Sequence, residues 1–337
     1  MTAVEIRLHR LAGQNLLSPG DAGSVTRNLC GFQAQFFPNV CQALGLRTGD
    51  FPRKDLGEEF LKSWTLRGTI HVVSRQDLPL FLGLEDHYRE NRWDIPTWWN
   101  QRPDWSLTPQ RQQYFTDVIL AALEEGPKSR EALKAVCGAA GMTEAEEASL
   151  FHPWGGGLRE LCQRGFVHYL AQEEKLFALT PEISPMERET AWLELARRYF
   201  TYYGPATIHD AQYFFRVSAA QVKTWLKKLP VDQCTVEGRT YYFIGTPEYG
   251  DALPECLFLA GFDPLMLGYE KKESLFLAPE HMRKVFNLGS IVFPTILLRG
   301  KVVGKWNVKG QTELFLSLPQ RDRKLIQEGA MAQRRTP

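Results

Sequence analysis

A unit recurs three times along this 337-residue chain: a stretch with helical spacing runs into two short strand-like stretches. The clearest copy spans residues 151–179. Leu158, Leu161 and Cys162 mark a helical face, Gly165 ends it, and Phe166–Leu170 and Leu176–Leu179 flank a polar turn. A second copy spans 218–244. Ser218 with Gln221 reads as a capping box, and Val222, Trp225, Leu226 and Leu229 form an apolar stripe. Thr235–Ile244 then reads as a hairpin turning at Glu237-Gly238-Arg239. The loosest copy is 57–73, where Phe60, Leu61 and Trp64 lead into Thr69–Val73. Two further helices precede each copy. They are expected at about 3–13 and 20–31 (with a short one after Pro38), at 108–125 (Thr108 cap, Pro109 in the first turn) and 129–140, and from Ser184 and Thr207.

A helix followed by a hairpin is the end of a winged-helix unit, so three of them in tandem are expected. Length agrees, since a chain of this size favours two to four units over one core. Residues 253–318 change character: short apolar runs at 256–260, 274–277, 295–298, 302–306 and 312–316 are separated by Gly, Pro and charged turns. That spacing predicts a small antiparallel barrel or sheet. The expected class is thus α+β, three tandem winged helices followed by a C-terminal β-barrel. The expected divisions are 1–106, 107–182, 183–252 and 253–337. Residues 90–106, with Trp93, Trp98, Trp99 and Trp105, read as a linker with aromatic anchors, and 320–337 as a short helix with a frayed tail.

Net charge is +1, so overall charge does not advertise nucleic acid. Residues 299–337, however, hold nine Lys or Arg against three Asp or Glu. Such a segment suits a phosphate backbone; for Arg334 and Arg335 a solvated tail is the expectation. The six cysteines are widely and irregularly spaced, without a C-x-x-C pair, which speaks against a zinc site or a disulfide framework. No apolar run is long enough to span a bilayer, and residues 1–10 alternate charged and apolar side chains, unlike a signal peptide. A cytoplasmic protein without metal or other cofactor is expected.

Chemistry is sparse. Gln33 and Gln35 stand in Gly31-Phe-Gln-Ala-Gln35, just ahead of Pro38, which favours extended backbone before it. On a strand, residues two apart point the same way, so both amides would be presented together from a loop between helices. By spacing alone, ordinary polar loop residues explain the pair equally well. His71 sits among Ile70, Val72 and Val73, where a structural histidine is expected. Asp263 before Pro264 is a common turn former.

In order, however, these segments resemble the AlkZ-like (YcaQ-related) DNA glycosylase family. Gly31–Gln35 resembles its Q-x-Q motif. Trp64–Val72 looks like its R-G-T-x-H strand, Ala260–Gly268 its F-D-P segment, and Phe293–Trp306 its P-x-x-L-x-x-G-x-V-x-G-x-W strands. The match runs over about residues 5–318. The resemblance implies three winged helices and a β-barrel forming a DNA channel. It also implies monofunctional hydrolysis of the N-glycosidic bond of N7-alkylguanine in double-stranded DNA, in some members including bulky adducts or interstrand crosslinks; with no dimer element visible in the sequence, a monomer is expected. It makes Gln33 and Gln35 catalytic. Arg67, His71, Asp263, Lys301 and Lys305 become supporting or DNA-binding residues. The hairpin tip Gln172-Glu-Glu-Lys175 is acidic, which disfavours a DNA contact there. The rival expectation is a non-catalytic winged-helix regulator, usually a dimer; no heptad seam supports one.

Overall fold

The hairpins form where the turn chemistry allows them. Asp232–Val236 and Arg239–Phe243 pair antiparallel, with Val236 opposite Arg239. The two connecting residues, Glu237 and Gly238, have φ of 51° and 76°. Left-handed backbone at both positions matches the twist of the flanking strands. The helix Gly156–Gln163 stops at Gly165, whose φ is 76°, and the Phe166 N–H reaches back to the Leu161 carbonyl. The strands Val167–Leu170 and Leu176–Leu179 follow, paired antiparallel. The computed structural model describes residues 1–52, 54–90, 92–250 and 252–333; the expected basic tail at Arg334 and Arg335 lies outside them.

The third copy is not as expected. Phe60–Trp64 is a strand, antiparallel to Ile70–Ser74, and it also pairs with Val167–Leu170. Phe60, Leu61, Lys62 and Ser63 are all buried. Four buried residues in succession mean that the strand is covered on both faces, so it reads as a run rather than an alternation. Three apolar residues within five fitted a helix just as well. The helix preceding this hairpin is Phe37–Thr48.

Most caps fall where the sequence puts them. Thr108 caps Pro109–Glu124 and Ser129 caps Arg130–Ala139. Thr207 forms a capping box with Asp210 ahead of Ile208–Phe215, and Ser218 accepts the Gln221 N–H ahead of Ala219–Lys228. The helix expected from Ser184 starts at Arg188 instead, because the Glu187 carboxylate takes the N–H groups of Glu189 and Thr190.

By packing, the chain divides into two compact units, Met1–Lys54 with Trp192–Pro337, and Asp55–Ala191. The first unit is built on aromatic packing: Tyr199 and Tyr203 stack 5.2 Å apart, and Phe200, Phe214, Phe215 and Trp225 are buried with them. Arg10 lies in the same interior, 3.8 Å over the Tyr269 ring and 3.3 Å from Asp210. The unit also contains the strands Cys256–Leu259, Thr295–Leu298, Lys301–Trp306 and Thr312–Leu314, each pairing with the next into an antiparallel sheet. That sheet is open, which corrects the expected barrel. The Ser274–Leu277 stretch is not a strand, since the Ser274 hydroxyl accepts the N–H groups of Phe276 and Leu277 that a ladder would need. The helix Gln320–Gln333 covers one face through Ile326 and Ala330 against Phe258.

In the second unit Ile70–Ser74, Phe60–Trp64, Val167–Leu170, Leu176–Leu179 and Lys128–Ser129 lie side by side in that order. Phe115, Ile119, Leu133, Leu158 and Leu161 form the core behind them. The Trp-rich segment is anchored there. Trp93 donates to Gln113 and Trp105 to the Leu107 carbonyl, and Trp99 is buried, but Trp98 is 65% exposed. Burial pushes the Cys137 and Cys162 thiols well up, so both are inert. Among the described residues no His/Cys/Asp/Glu group could hold a metal, and no helix is long and apolar enough to cross a membrane.

Candidate active site and its supporting segments

The Gln pair sits between two helices of the first unit. Ala22–Asn28, capped by Asp21, ends at Leu29. Cys30 and Gly31, with φ of 57° and 89°, then turn the chain into an extended segment. The helix Phe37–Thr48 begins with Pro38 in its first turn. In the extended segment Phe32 and Ala34 are buried, Gln33 is half-buried and Gln35 exposed. The period of two therefore directs both amides outward, as expected. Gln33 Nε2 donates to Gln35 Oε1 at 2.8 Å. That bond joins the two side chains directly.

The F-D-P segment lies behind this loop. Arg47, in the last turn of Phe37–Thr48, makes two bonds to the Asp263 carboxylate, 3.0 and 2.8 Å, and both side chains are wholly buried. Asp263 also accepts the Leu265 N–H at 2.9 Å, capping the short helix Pro264–Leu267. Phe262, with φ of 57°, packs its ring 5.8 Å from Phe36, and Gly261 backs onto Asn39. The segment thus clamps both ends of the helix that follows the Gln pair. A carboxylate buried in an ion pair reaches no DNA phosphate, so Asp263 supports the loop through Arg47. Sequence reading missed Arg47, which lies 216 residues from its partner with no local signal between them.

The basic C-terminal segment is mostly spoken for. Lys305 pairs with Glu313 across neighbouring strands at 3.0 Å and lies 5.0 Å over the Phe293 ring. Arg299 pairs with Asp322, Arg321 with Glu255 and Lys324 with Glu328. Lys301 is exposed and donates to the Leu275 carbonyl at 3.1 Å.

Arg67 and His71 belong to the second unit and form a couple of their own. Arg67 has φ of 59° at the turn joining Phe60–Trp64 to Ile70–Ser74. His71 is 1% exposed. Its Nε2 lies 3.0 Å from an Arg67 NH2 group and its Nδ1 3.0 Å from the Thr69 carbonyl. Arginine has only donors and a carbonyl only accepts. The imidazole is therefore neutral, protonated on Nδ1 and accepting on Nε2. Burial, then the Arg67 charge, push its pKa down to about 3. His71 thus orients a half-buried guanidinium.

The fold and the comparisons together define the class: the protein is a DNA glycosylase. The chain belongs to the AlkZ-like DNA glycosylase family, whose model matches residues 26–333. Among curated relatives it is similar to an interstrand DNA cross-link repair glycosylase of Streptomyces sahachiroi, 24% identical over 326 residues, which cover 90% of this chain and 86% of the relative. Among solved structures it resembles the Streptomyces sahachiroi DNA glycosylase AlkZ. The TM-score is 0.75 and the identity 21%, over 99% of this chain and 96% of the other, a likeness of fold.

Proposed function

We propose that Gln33 and Gln35 are the catalytic pair of a monofunctional glycosylase acting on N7-alkylated guanine in double-stranded DNA. The observation that carries this reading is the pair of outward amides joined at 2.8 Å on a loop buttressed from behind. N7-alkylguanine carries a positive charge and leaves with little help from an acid. The enzyme's task is to stabilise an oxocarbenium-like sugar and hold a water beside C1′. An amide carbonyl does the first by its dipole, and the second amide orients the water. Water adds to C1′, the C1′–N9 bond breaks with its electrons passing to the base, and the water's second proton goes to solvent. Lysine has no part in this, so the product is an abasic site in an intact strand.

Arg67, aimed by His71, and Lys301 would hold phosphates, while Lys305 is tied to Glu313. Bulky adducts and interstrand crosslinks fall within the reading, in keeping with the relative's name. The helix-and-hairpin repeats support three winged helices within 1–106, 107–182 and 183–252, followed by the sheet region 253–337, in a protein acting as a monomer. A non-catalytic regulator is not favoured, since the family is one of enzymes.

The test is release of 7-methylguanine from methylated duplex under single-turnover conditions. Gln33→Ala and Gln35→Ala should each slow release by roughly 10²-fold or more, and the double variant by less than the product of the two. Strands should remain intact until treated with hot alkali. Wild type and variants that bind the duplex equally and release no base would sink the proposal.

A further inference from the structure

The second unit contains a cavity of about 470 Å³ that the chemistry above does not use. Its volume lies in the range of small-molecule sites, roughly 300–1,000 Å³. One wall is the loop carrying Trp98, whose indole is 65% exposed and meets Trp99 edge-on at 4.7 Å. The opposite side is the face of Gly156–Gln163 bearing Arg159 and Gln163, one turn apart, and Glu85 completes it. Arg159 Nε donates to Gln163 Oε1 at 3.0 Å. That fixes the amide so that Gln163 Nε2 is the group bonding the Glu85 carboxyl.

The other charged groups around Glu85 have structural duties. Asp86 is held by Arg188, Glu160 by Gln112 and Thr97, and His87 by Glu90. Burial, then Asp86, raise the Glu85 pKa to about 7, against the opposing pull of Arg159, Arg188 and Gln163. Its carboxylate is thus short of the solvation that N–H donors provide.

We propose that this cavity binds one guanine base, with the Watson–Crick edge on Glu85 and the ring face on Trp98. Guanine offers N1–H and N2–H side by side, which a carboxylate accepts with both oxygens. Its O6 complements the donors of Arg159, and its π-face suits an exposed indole. Adenine and cytosine lack that pair of adjacent donors. The inference rests on the DNA glycosylase reading for its source of guanine, either an extrahelical base of bound DNA or the released product.

Guanosine, inosine and adenosine, titrated into the full-length protein by calorimetry with NMR of the indole signals, test it. Guanosine should bind, inosine (no 2-amino group) roughly tenfold weaker, and adenosine not measurably. Trp98→Ala should weaken guanosine roughly tenfold or more. Glu85→Gln should erase the preference for guanosine over inosine; matching thermal midpoints show that both variants fold. Equal binding of the three nucleosides, no binding by wild type, or unchanged affinity in Trp98→Ala overturns the inference. Competition by a duplex with one unpaired guanine, but not by a fully paired one, assigns the site to DNA; competition by 7-methylguanine alone assigns it to product. Equal competition by the fully paired duplex overturns the inference. Base release measured in parallel separates the two readings: a protein that releases base but binds no nucleoside loses this inference and keeps its function. One that binds guanosine but releases no base loses the function alone.

Discussion

Replacing Asp263 by Asn probes how the catalytic loop is held. The change keeps shape and helix-capping ability but removes the charge facing Arg47. Both side chains are fully buried; the Asn oxygen still accepts from Arg47 Nη2 and the Leu265 N–H, but its NH2 group faces Arg47 Nη1, whose remaining acceptor is the Ala43 carbonyl. Breaking a buried pair on one side leaves an uncompensated charge and costs about 3–5 kcal/mol. That is a fifth or more of the ~5–15 kcal/mol that holds a typical domain together, and at ~2–4 °C per kcal/mol it lowers the midpoint of this unit by roughly 6–20 °C. Asp263→Ala should lose about 1 kcal/mol more, because the Leu265 N–H loses its cap as well. Arg47→Met combined with Asp263→Asn removes both charges and should recover most of the loss. Calorimetry of the four proteins gives the midpoints. Base release, measured well below them, should slow in Asp263→Asn through the chemical step more than through DNA affinity. A shift under about 0.5 kcal/mol for Asp263→Asn, or a double variant no better than the single one, would refute the argument.

Two further outcomes follow from the same geometry. His71, with a folded pKa near 3 against an ordinary 6.5, binds fewer protons folded than unfolded between those values. Its contribution is complete above pH 6.5 and is lost as pH falls through the window, by up to ~1.4 kcal/mol per pH unit. Buried His9 and His168 are shifted the same way. The informative quantity is therefore the difference between wild type and His71→Gln, which should show a shallower loss of stability from pH 6.5 to 5 in denaturant titrations; equal slopes would count against the neutral imidazole. Gly261→Ala would place a Cβ 2.8 Å from Asn39 Nδ2 and 3.1 Å from the Val292 carbonyl oxygen. Because the second neighbour is backbone, the crowding should cost roughly 1–3 kcal/mol and slow base release, whereas a wild-type rate would show that the segment behind the loop is not tight.

Local chemistry was legible in the sequence. Thr108, Thr207 and Ser218 cap helices where their spacing says, Gly165 and Gly238 turn the chain with positive φ, and Pro38 marks the step from extended loop to helix. Each of these depends on neighbours a few residues away. The outward direction of Gln33 and Gln35 was readable for the same reason, a period of two ahead of a proline. Tertiary structure decided the rest. Phe60–Trp64 became a strand because partners lie along both of its edges. The Ser274–Leu277 stretch stayed out of the C-terminal sheet because Ser274 takes the N–H groups of Phe276 and Leu277. The partner of Asp263 was not legible, because Arg47 lies 216 residues away in sequence. The basic excess of residues 299–337 was countable, but not that Lys305 pairs with Glu313, Arg299 with Asp322 and Arg321 with Glu255. Period and capping act over one or two turns of chain, whereas burial and ion pairing depend on which distant residues arrive, and a single sequence does not encode that legibly.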